Sequence, residues 1–362
     1  DSLNNKTRSL ATLAEKLKTE RVPLLQKLNE IQPTISVLPR EILALVFQYT
    51  CPPHDFDPIY DLKKLPNPSK GSYPQFILAG VSGHWRQLVF ASPRIWTSLD
   101  LSLTQDVYLK RSNILRCFLT YSGHCPLSFY LRFVMYNNIN HLVHGEIDHL
   151  FYEHAWRFRE LYLLYPPRKW VKFLPQLSNL VNISIHCHDV GDPVLIPNSC
   201  SRITIFDLPR AVVLELSYLD VTVLSLLYVP VDVATSLLVQ CPNLVRYRCR
   251  LASSPNSRDP SKLPQHPFTL PHLTTFEWET SEWPDADGAV CRLLQMPVLQ
   301  TLCWRGSQGG WGILYPESYS ESASCLHHLP STVSALLLSH IMMDREYQTA
   351  LHYLHDNPIE CL

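Results

Sequence analysis

The chain has 362 residues, of which 46% are hydrophobic and only 17% charged, a balance that excludes global disorder and supplies ample apolar material for burial. Its 31 Lys and Arg against 32 Asp and Glu leave a formal charge of −1, so there is no global basic field to attract nucleic acid. With 29 prolines and 11 glycines, it is poorly suited to folds that cradle phosphates in several glycine turns.

Residues 1–31 are predicted to be helical. Leu10, Leu17, Leu24 and Ile31 recur every seven residues, with Leu13 and Leu28 beside them and Lys, Glu and Arg between. Pro23 interrupts this pattern, so two short amphipathic helices packed on the next domain are expected, with self-association through the leucine stripe as the alternative. After a boundary at 32–34, Pro39 suits the first turn of a helix and Glu41 complements its dipole. Six of the eight residues from Ile42 to Tyr49 are large and apolar, and a helix apolar on nearly every face has to be buried all round. Residues 51–74 form a polar, proline-rich loop, functional or mobile at that length. Phe76 to Val89 is predicted helical again, and Ser92 to Trp96 leads into a strand at 98–101.

From that strand onward one pattern recurs: apolar, two spaces, apolar, one space, apolar. It stands at Trp96/Leu99/Leu101, Phe158/Leu161/Leu163, Leu180/Ile183/Ile185, Cys200/Ile203/Ile205, Val221/Leu224/Leu226, Leu244/Tyr247/Cys249, Leu273/Phe276/Trp278, Leu299/Leu302/Trp304 and Val333/Leu336/Leu338. Leu127 to Leu131 supplies a strand without the leading residue. The middle positions are 20 to 34 residues apart, the imperfect period of leucine-rich repeats with one strand each. Each unit has an apolar face that it cannot cover alone, so a curved solenoid with one parallel sheet is expected. Ser184, Arg248, Glu277 and Cys303 lie between the apolar positions and are expected to face outward. Segments 251–270, 281–288 and 305–325 read as insertions.

Side chains with catalytic or ligand chemistry do not assemble into a recognisable site. His141, His144, His149 and His154 lie among Glu146, Asp148 and Glu153, but His-Glu-x-x-His is absent and a surface helix is the better reading. His186-Cys187-His188 alternates faces along a strand. Gly306, Gly309, Gly310 and Gly312 lack the Lys-Ser/Thr of a phosphate loop. No metal and no cofactor are expected. Arg246, Arg248 and Arg250 fall on one strand face, either a patch for an acidic partner or a solvated edge. The 11 cysteines are scattered without a Cys-x-x-Cys pair and read as reduced thiols of a cytoplasmic or nuclear protein. No charged-then-apolar leader opens the sequence, which begins at Asp1 rather than Met and reads as a fragment candidate. The most apolar window, Val221 to Val239, contains Pro230 and Asp232, against a membrane span.

The combination Leu38-Pro39-x-Glu41-Ile42-Leu43, Val46-Phe47, Val81-x-x-x-Trp85-Arg86-x-Leu88 and Pro93-x-x-Trp96 resembles the F-box. Its place between a leucine-rich helix and a degenerate leucine-rich array is similar to the large F-box families of mushroom-forming fungi. The likeness covers residues 1–101 by motif and the rest by architecture. Ser82 stands where the family often has Cys, and Gly83 where it often has a bulky or basic residue. The resemblance implies an α/β chain with three parts: an N-terminal amphipathic segment (1–31), an F-box three-helix motif (34–97, insertion 51–74) and an irregular leucine-rich-repeat solenoid (98–362).

That resemblance also implies the substrate-recognition subunit of an SCF-type (Skp–cullin–F-box) E3 ubiquitin ligase, not itself an enzyme. Its partners would be a Skp-type adaptor, the cullin ligase core and an unidentified target protein, with no nucleic acid and no membrane. Leu38, Pro39, Ile42, Leu43, Val46 and Phe47 are the expected adaptor contacts, because this helix carries more apolar surface than so small a motif can hide. Val81, Trp85, Leu88 and Trp96 are the expected F-box core. Two other readings stay open: a leucine-rich scaffold that joins no ligase, and a hydrolase built on the histidine cluster.

Overall fold

A computed structural model of the chain describes residues 2–31, 38–51, 73–103, 108–133, 145–186, 194–208, 214–215, 220–256, 263–279, 290, 292–305 and 329–339. The helices are α1 (Ser2–Ile31), α2 (Arg40–Thr50), α3 (Pro74–Val81), α4 (Gly83–Phe90), α5 (Tyr108–Tyr121), α6 (Gly145–Glu153), α7 (Arg168–Phe173) and α8 (Val231–Gln240). The strands are β1 (Ser98–Leu103), β2 (Leu127–Phe133), β3 (Phe158–Leu164), β4 (Asn182–His186), β5 (Val194–Leu195), β6 (Arg202–Phe206) and β7 (Leu214–Glu215). They continue with β8 (Val223–Leu227), β9 (Arg246–Arg250), β10 (Phe268–Thr269), β11 (Thr275–Glu279), β12 (Leu294–Gln295), β13 (Thr301–Arg305) and β14 (Ala335–Ser339). The chain divides into two compact units, one of Asp1–Asp55, Leu65–Leu101 and Leu109–Phe129, the other of Phe56–Lys64, Ser102–Tyr108 and Tyr130–Leu362.

In the first unit, α1 runs unbroken through Pro23, where two helices were expected. Proline costs a helix one N–H and crowds the carbonyl four residues back. Here every described side chain from Thr12 to Leu25 is exposed, so the freed carbonyl can be hydrated. The same exposure corrects the expectation that this face packs on the next domain, since Leu13, Leu17 and Leu24 all stand in solvent. The predicted helix over 76–89 is two helices, split at Ser82, whose extended backbone ends α3 and whose Oγ caps α4 by accepting the Trp85 N–H at 3.1 Å. Trp96 is the centre of the packing. Its ring lies against Phe76, Phe90, Phe118 and Tyr121 at centroid distances of 5.1–5.6 Å, and its Nε1 donates to the Val89 carbonyl at 2.9 Å.

The ten long strands form one sheet in the order β1-β2-β3-β4-β6-β8-β9-β11-β13-β14, and every pairing from β3 onward is parallel. Its register is the sequence pattern itself: Leu161, Ile183, Ile203, Leu224, Tyr247, Phe276, Leu302 and Leu336 stand side by side. Three further backbone features repeat with it. The leading apolar residue closes a turn, with Leu180, Cys200, Leu244, Leu273, Leu299 and Val333 each donating its N–H to the carbonyl three residues back. Pro242, Pro271 and Pro297 sit at the second position of these turns, where their fixed φ is favoured. Next, one carbonyl before or at the edge of each strand accepts two N–H groups from the following unit: Val181, Ser201, Thr222, Val245, Thr274 and Gln300. Finally, Tyr165, Asp207, Tyr228 and Leu251, each just after a strand, have left-handed backbones with φ of 49° to 56°.

Of the four residues expected to face outward, Arg248 is part-exposed and the other three are a correction. Ser184, Thr204, Ser225, Glu277 and Cys303 are buried, as are Tyr162, His186 and Phe206 on the same face. The insertions 281–288 and 305–325 lie outside the described residues, apart from Arg305.

The left-handed residues are a load on the backbone that a β-branched side chain would raise. Tyr228→Val is expected to lower the free energy of unfolding by about 1–2 kcal/mol. Tyr228→Asn, which tolerates this region, should change it by less than half as much. Urea denaturation of both variants checks this.

Candidate functional site

Helix α2 starts at Arg40 on Pro39, whose carbonyl accepts the Leu43 N–H at 3.0 Å. Only one stripe of the helix is sealed. Leu43 and Phe47, four residues apart, are buried to 1% and 0% exposure, and Phe47 packs on the Trp85 ring at 4.8 Å. Both were expected to contact a partner, and the structure corrects that: α4 and the Pro93–Trp96 turn lie against α2 and take up this side. Leu38, Ile42, Leu45 and Val46 are 40–48% exposed and Tyr49 is 85% exposed, with Pro39 exposed beside them. Ile42, Leu45, Val46 and Tyr49 are spaced to share the other side of the helix, and Leu38 stands exposed just before its N-cap. Leu45 and Tyr49 were not among the expected contacts, although their three- and seven-residue spacing from Ile42 would have found them.

The expected motif core divides in the same way. Trp96 is wholly buried, whereas Val81, Trp85 and Leu88 are half-buried. Val89 and Ile95, which sequence spacing did not single out, are sealed instead. Gln75 is also buried and donates from Nε2 to the Ile95 carbonyl at 2.7 Å, tying α3 to the turn before β1. Arg86 does the same between α4 and α3, from Nε to the Ala79 carbonyl at 3.0 Å.

In the second unit the sheet carries a charged island. The buried Glu277 carboxylate accepts from Nε of Arg248 and of Arg250 and, at 3.3 Å, from Nε of Arg305. Parallel register makes the cluster, because Arg248 on β9 and Cys303 on β13 are the direct neighbours of Glu277 on β11. Glu279, paired with Arg305, is also buried. Burial holds its carboxyl above the usual range, against the Leu251 backbone N–H and the nearby Arg250 and Arg305. Arg246, the third arginine of the sequence alternation, is exposed at the start of β9 and takes no part.

The other groups with ligand chemistry have structural duties. Asp148 accepts from Lys169 and, at 2.6 Å, from Trp170 Nε1, joining α6 to α7. The His154 ring meets Arg157 at 3.3 Å, and His186 Nε2 meets Asp207 at 3.2 Å. His141, His144, Cys187, His188 and the glycines at 306–312 lie outside the described residues. Among the described residues no three His, Cys, Asp or Glu side chains could hold a metal ion, and no helix is long and apolar enough to cross a membrane. Burial pushes the Cys200 and Cys241 thiols up to about 12, which keeps them unreactive at neutral pH.

No family model matches the sequence, no curated protein is similar to it at a significant level, and no solved structure matches its fold.

The division of α2 into a sealed and an open side has a direct readout. Phe47→Ala should lower the free energy of unfolding by about 3–5 kcal/mol, because it empties a closed site. Val46→Asp, on the open side, should move it by no more than about 0.5 kcal/mol. Chemical denaturation of the two single variants measures both.

Proposed function

We propose that the chain is the substrate-recognition subunit of an SCF-type E3 ubiquitin ligase. Helix α2 and the Leu38-Pro39 entry to it dock on a Skp-type adaptor that carries the cullin core. The sheet-bearing unit, read as an irregular leucine-rich-repeat solenoid, holds the target protein. The observation that carries this reading is the open apolar side of α2, formed by Ile42, Leu45, Val46 and Tyr49, with Leu38 exposed just before the helix. A patch of large apolar side chains on a folded unit marks a surface that another molecule covers. Anchors spaced along one helix side are how an amphipathic helix enters a partner's groove.

Two further observations support the reading. The exposed side chains include Leu38 and Ile42 of the Leu-Pro-x-Glu-Ile-Leu motif on which the F-box resemblance rests, and the sealed side uses its Leu43 with Phe47 and Trp85. Ser82, a departure from the family, serves as the α4 cap and so keeps the motif's second half helical. The recurrence of turn, double-accepting carbonyl, strand and left-handed residue supports the repeat reading. On this proposal the protein has no active site of its own and no cofactor. It works in the cytoplasm or nucleus, where thiols stay reduced.

Co-expression with a Skp-type adaptor tests the proposal. The native chain should co-purify with the adaptor and, through it, with a cullin. Ile42→Asp with Val46→Asp should abolish the complex while leaving the thermal melt in place, since each lost anchor is worth about tenfold or more in affinity. Full adaptor binding by that double variant would defeat the assignment, and adaptor binding without cullin would leave only a scaffold.

A further inference from the structure

Helix α1 has 30 residues, which makes it about 45 Å long, and every described side chain from Thr12 to Leu25 is exposed. The middle of the helix therefore gains no burial from the rest of the chain. Helices in proteins are stabilised mainly by packing an apolar face, and an isolated one in water is marginal. Such a face is present. Leu3, Leu10, Leu17, Leu24 and Ile31 recur every seventh residue through the whole of α1. Leu17 and Leu24 are 57% and 67% exposed, with Leu13 and Leu25 exposed beside them.

A strict seven-residue repeat is the period of a left-handed coiled coil. With these five residues at the d positions, Thr7, Ala14, Arg21 and Leu28 fall at a, so only Thr7 and Arg21 interrupt an apolar seam. Leu13 and Leu25 become the flanking g and e residues. Pro23 falls at c, and the Thr19 carbonyl that its ring crowds belongs to f, so the proline stands away from the seam. The ion pairs of the helix also keep off it. Glu15 at b meets Lys18 at e at 3.1 Å, and Lys16 at c meets Glu20 at g at 4.0 Å.

We infer that two copies of this chain pair through α1 as a parallel, leucine-zipper coiled coil. Charge favours a second copy in that direction. In a parallel pair each a residue lies beside the preceding g residue of the other helix, so Arg21 of each copy meets Glu20 of the other. The flanking g and e pairs, Lys6 with Ala11, Leu13 with Lys18 and Glu20 with Leu25, bring no like charges together. The two antiparallel registers that overlap most of the helix do: one sets Lys6 against Lys27, the other Glu20 and Lys18 each against its own counterpart. Leu3, Leu10, Leu17, Leu24, Leu28 and Ile31 from both copies would remove on the order of 1,000 Å² from water, at roughly 60–120 Å² each. With the flanking stems added, this reaches the roughly 1,200 Å² at which specific interfaces begin. The inference goes beyond the receptor reading and does not rest on the adaptor role of α2.

Analytical ultracentrifugation of the purified full chain tests it. The native chain should sediment as a dimer at concentrations up to about 50 μM. Leu17→Asp with Leu24→Asp should raise the dissociation constant by at least about a hundredfold. The same variant should keep the native tryptophan-fluorescence melt, since α1 carries no tryptophan. Val22→Asp replaces an exposed apolar residue at the outward b position, so it should dimerise as the native chain does and controls for lost apolarity. Arg21→Glu and Glu20→Arg should each weaken the dimer by about fivefold or more, and the two together in one chain should restore it.

The inference is overturned if the native chain stays monomeric at that concentration, whatever else binds α1. It is equally overturned if the Leu17→Asp, Leu24→Asp protein still dimerises, or if Val22→Asp weakens the dimer as much. Single charge reversals without effect, or a double reversal that restores nothing, would sink the parallel pairing. Ile42→Asp with Val46→Asp should leave the dimer intact, so that adaptor binding and dimerisation are read separately. Loss of the dimer there would place the contact on α2 and overturn the inference.

Discussion

The carbonyls of Val181, Ser201, Thr222, Val245, Thr274 and Gln300 each accept two backbone N–H groups from the next unit along the chain, and this ladder runs with the register of the long strands from β4 to β14. A backbone polar group taken out of water has to find a partner, and for these carbonyls the partners lie at the start of the next long strand and just before it. Once one pair is aligned, the apolar positions of the next strand can lie only beside those of the last. Leu161, Ile183, Ile203, Leu224, Tyr247, Phe276 and Leu302 are accordingly a single buried row. The helical connection between β8 and β9 is tied to the same frame, since the buried Tyr247 hydroxyl donates to the Ala234 carbonyl of α8 at 3.0 Å.

That alignment has a price on the polar side of the strands. Every residue at a given register position is brought to within a strand spacing of its counterparts, whether or not their charges agree. Over much of the sheet the result is a covered row of Tyr, Ser and Thr. At β9, β11 and β13 it is instead three arginines gathered on the buried Glu277 carboxylate. The charges are held there by backbone geometry, on the anion that they share.

In the first unit the organising contact is aromatic. Trp96 gathers Phe76, Phe90, Phe118 and Tyr121 around itself, and Phe47 with Trp85 extends the packing to α2. The core so formed is wide enough to seal one side of an eleven-residue helix and no more. An α2 apolar on both sides therefore leaves Ile42, Val46 and their neighbours at the surface, and this surplus is the physical content of the proposed docking role. In α1 too, Leu13, Leu17 and Leu24 are exposed together.

The sequence by itself determined the spacing of the strands, their apolar rows and the turns that precede them, because a buried strand needs alternating apolar residues and a tight turn favours proline wherever the chain folds. It also placed the motif helices. It could not tell which side of α2 is sealed, because Ile42, Leu43, Val46 and Phe47 are equally apolar, and only the position of Trp85 decides between them. Nor could it carry Arg305 and Glu277 to Arg248, since residues some thirty positions apart become neighbours only when parallel register is fixed. It mistook Pro23 for a break because it could not foresee that solvent would surround the helix there. Periodic burial is a local property written along the chain, whereas the choice of face and the meeting of distant charges belong to packing, which the tertiary structure alone supplies.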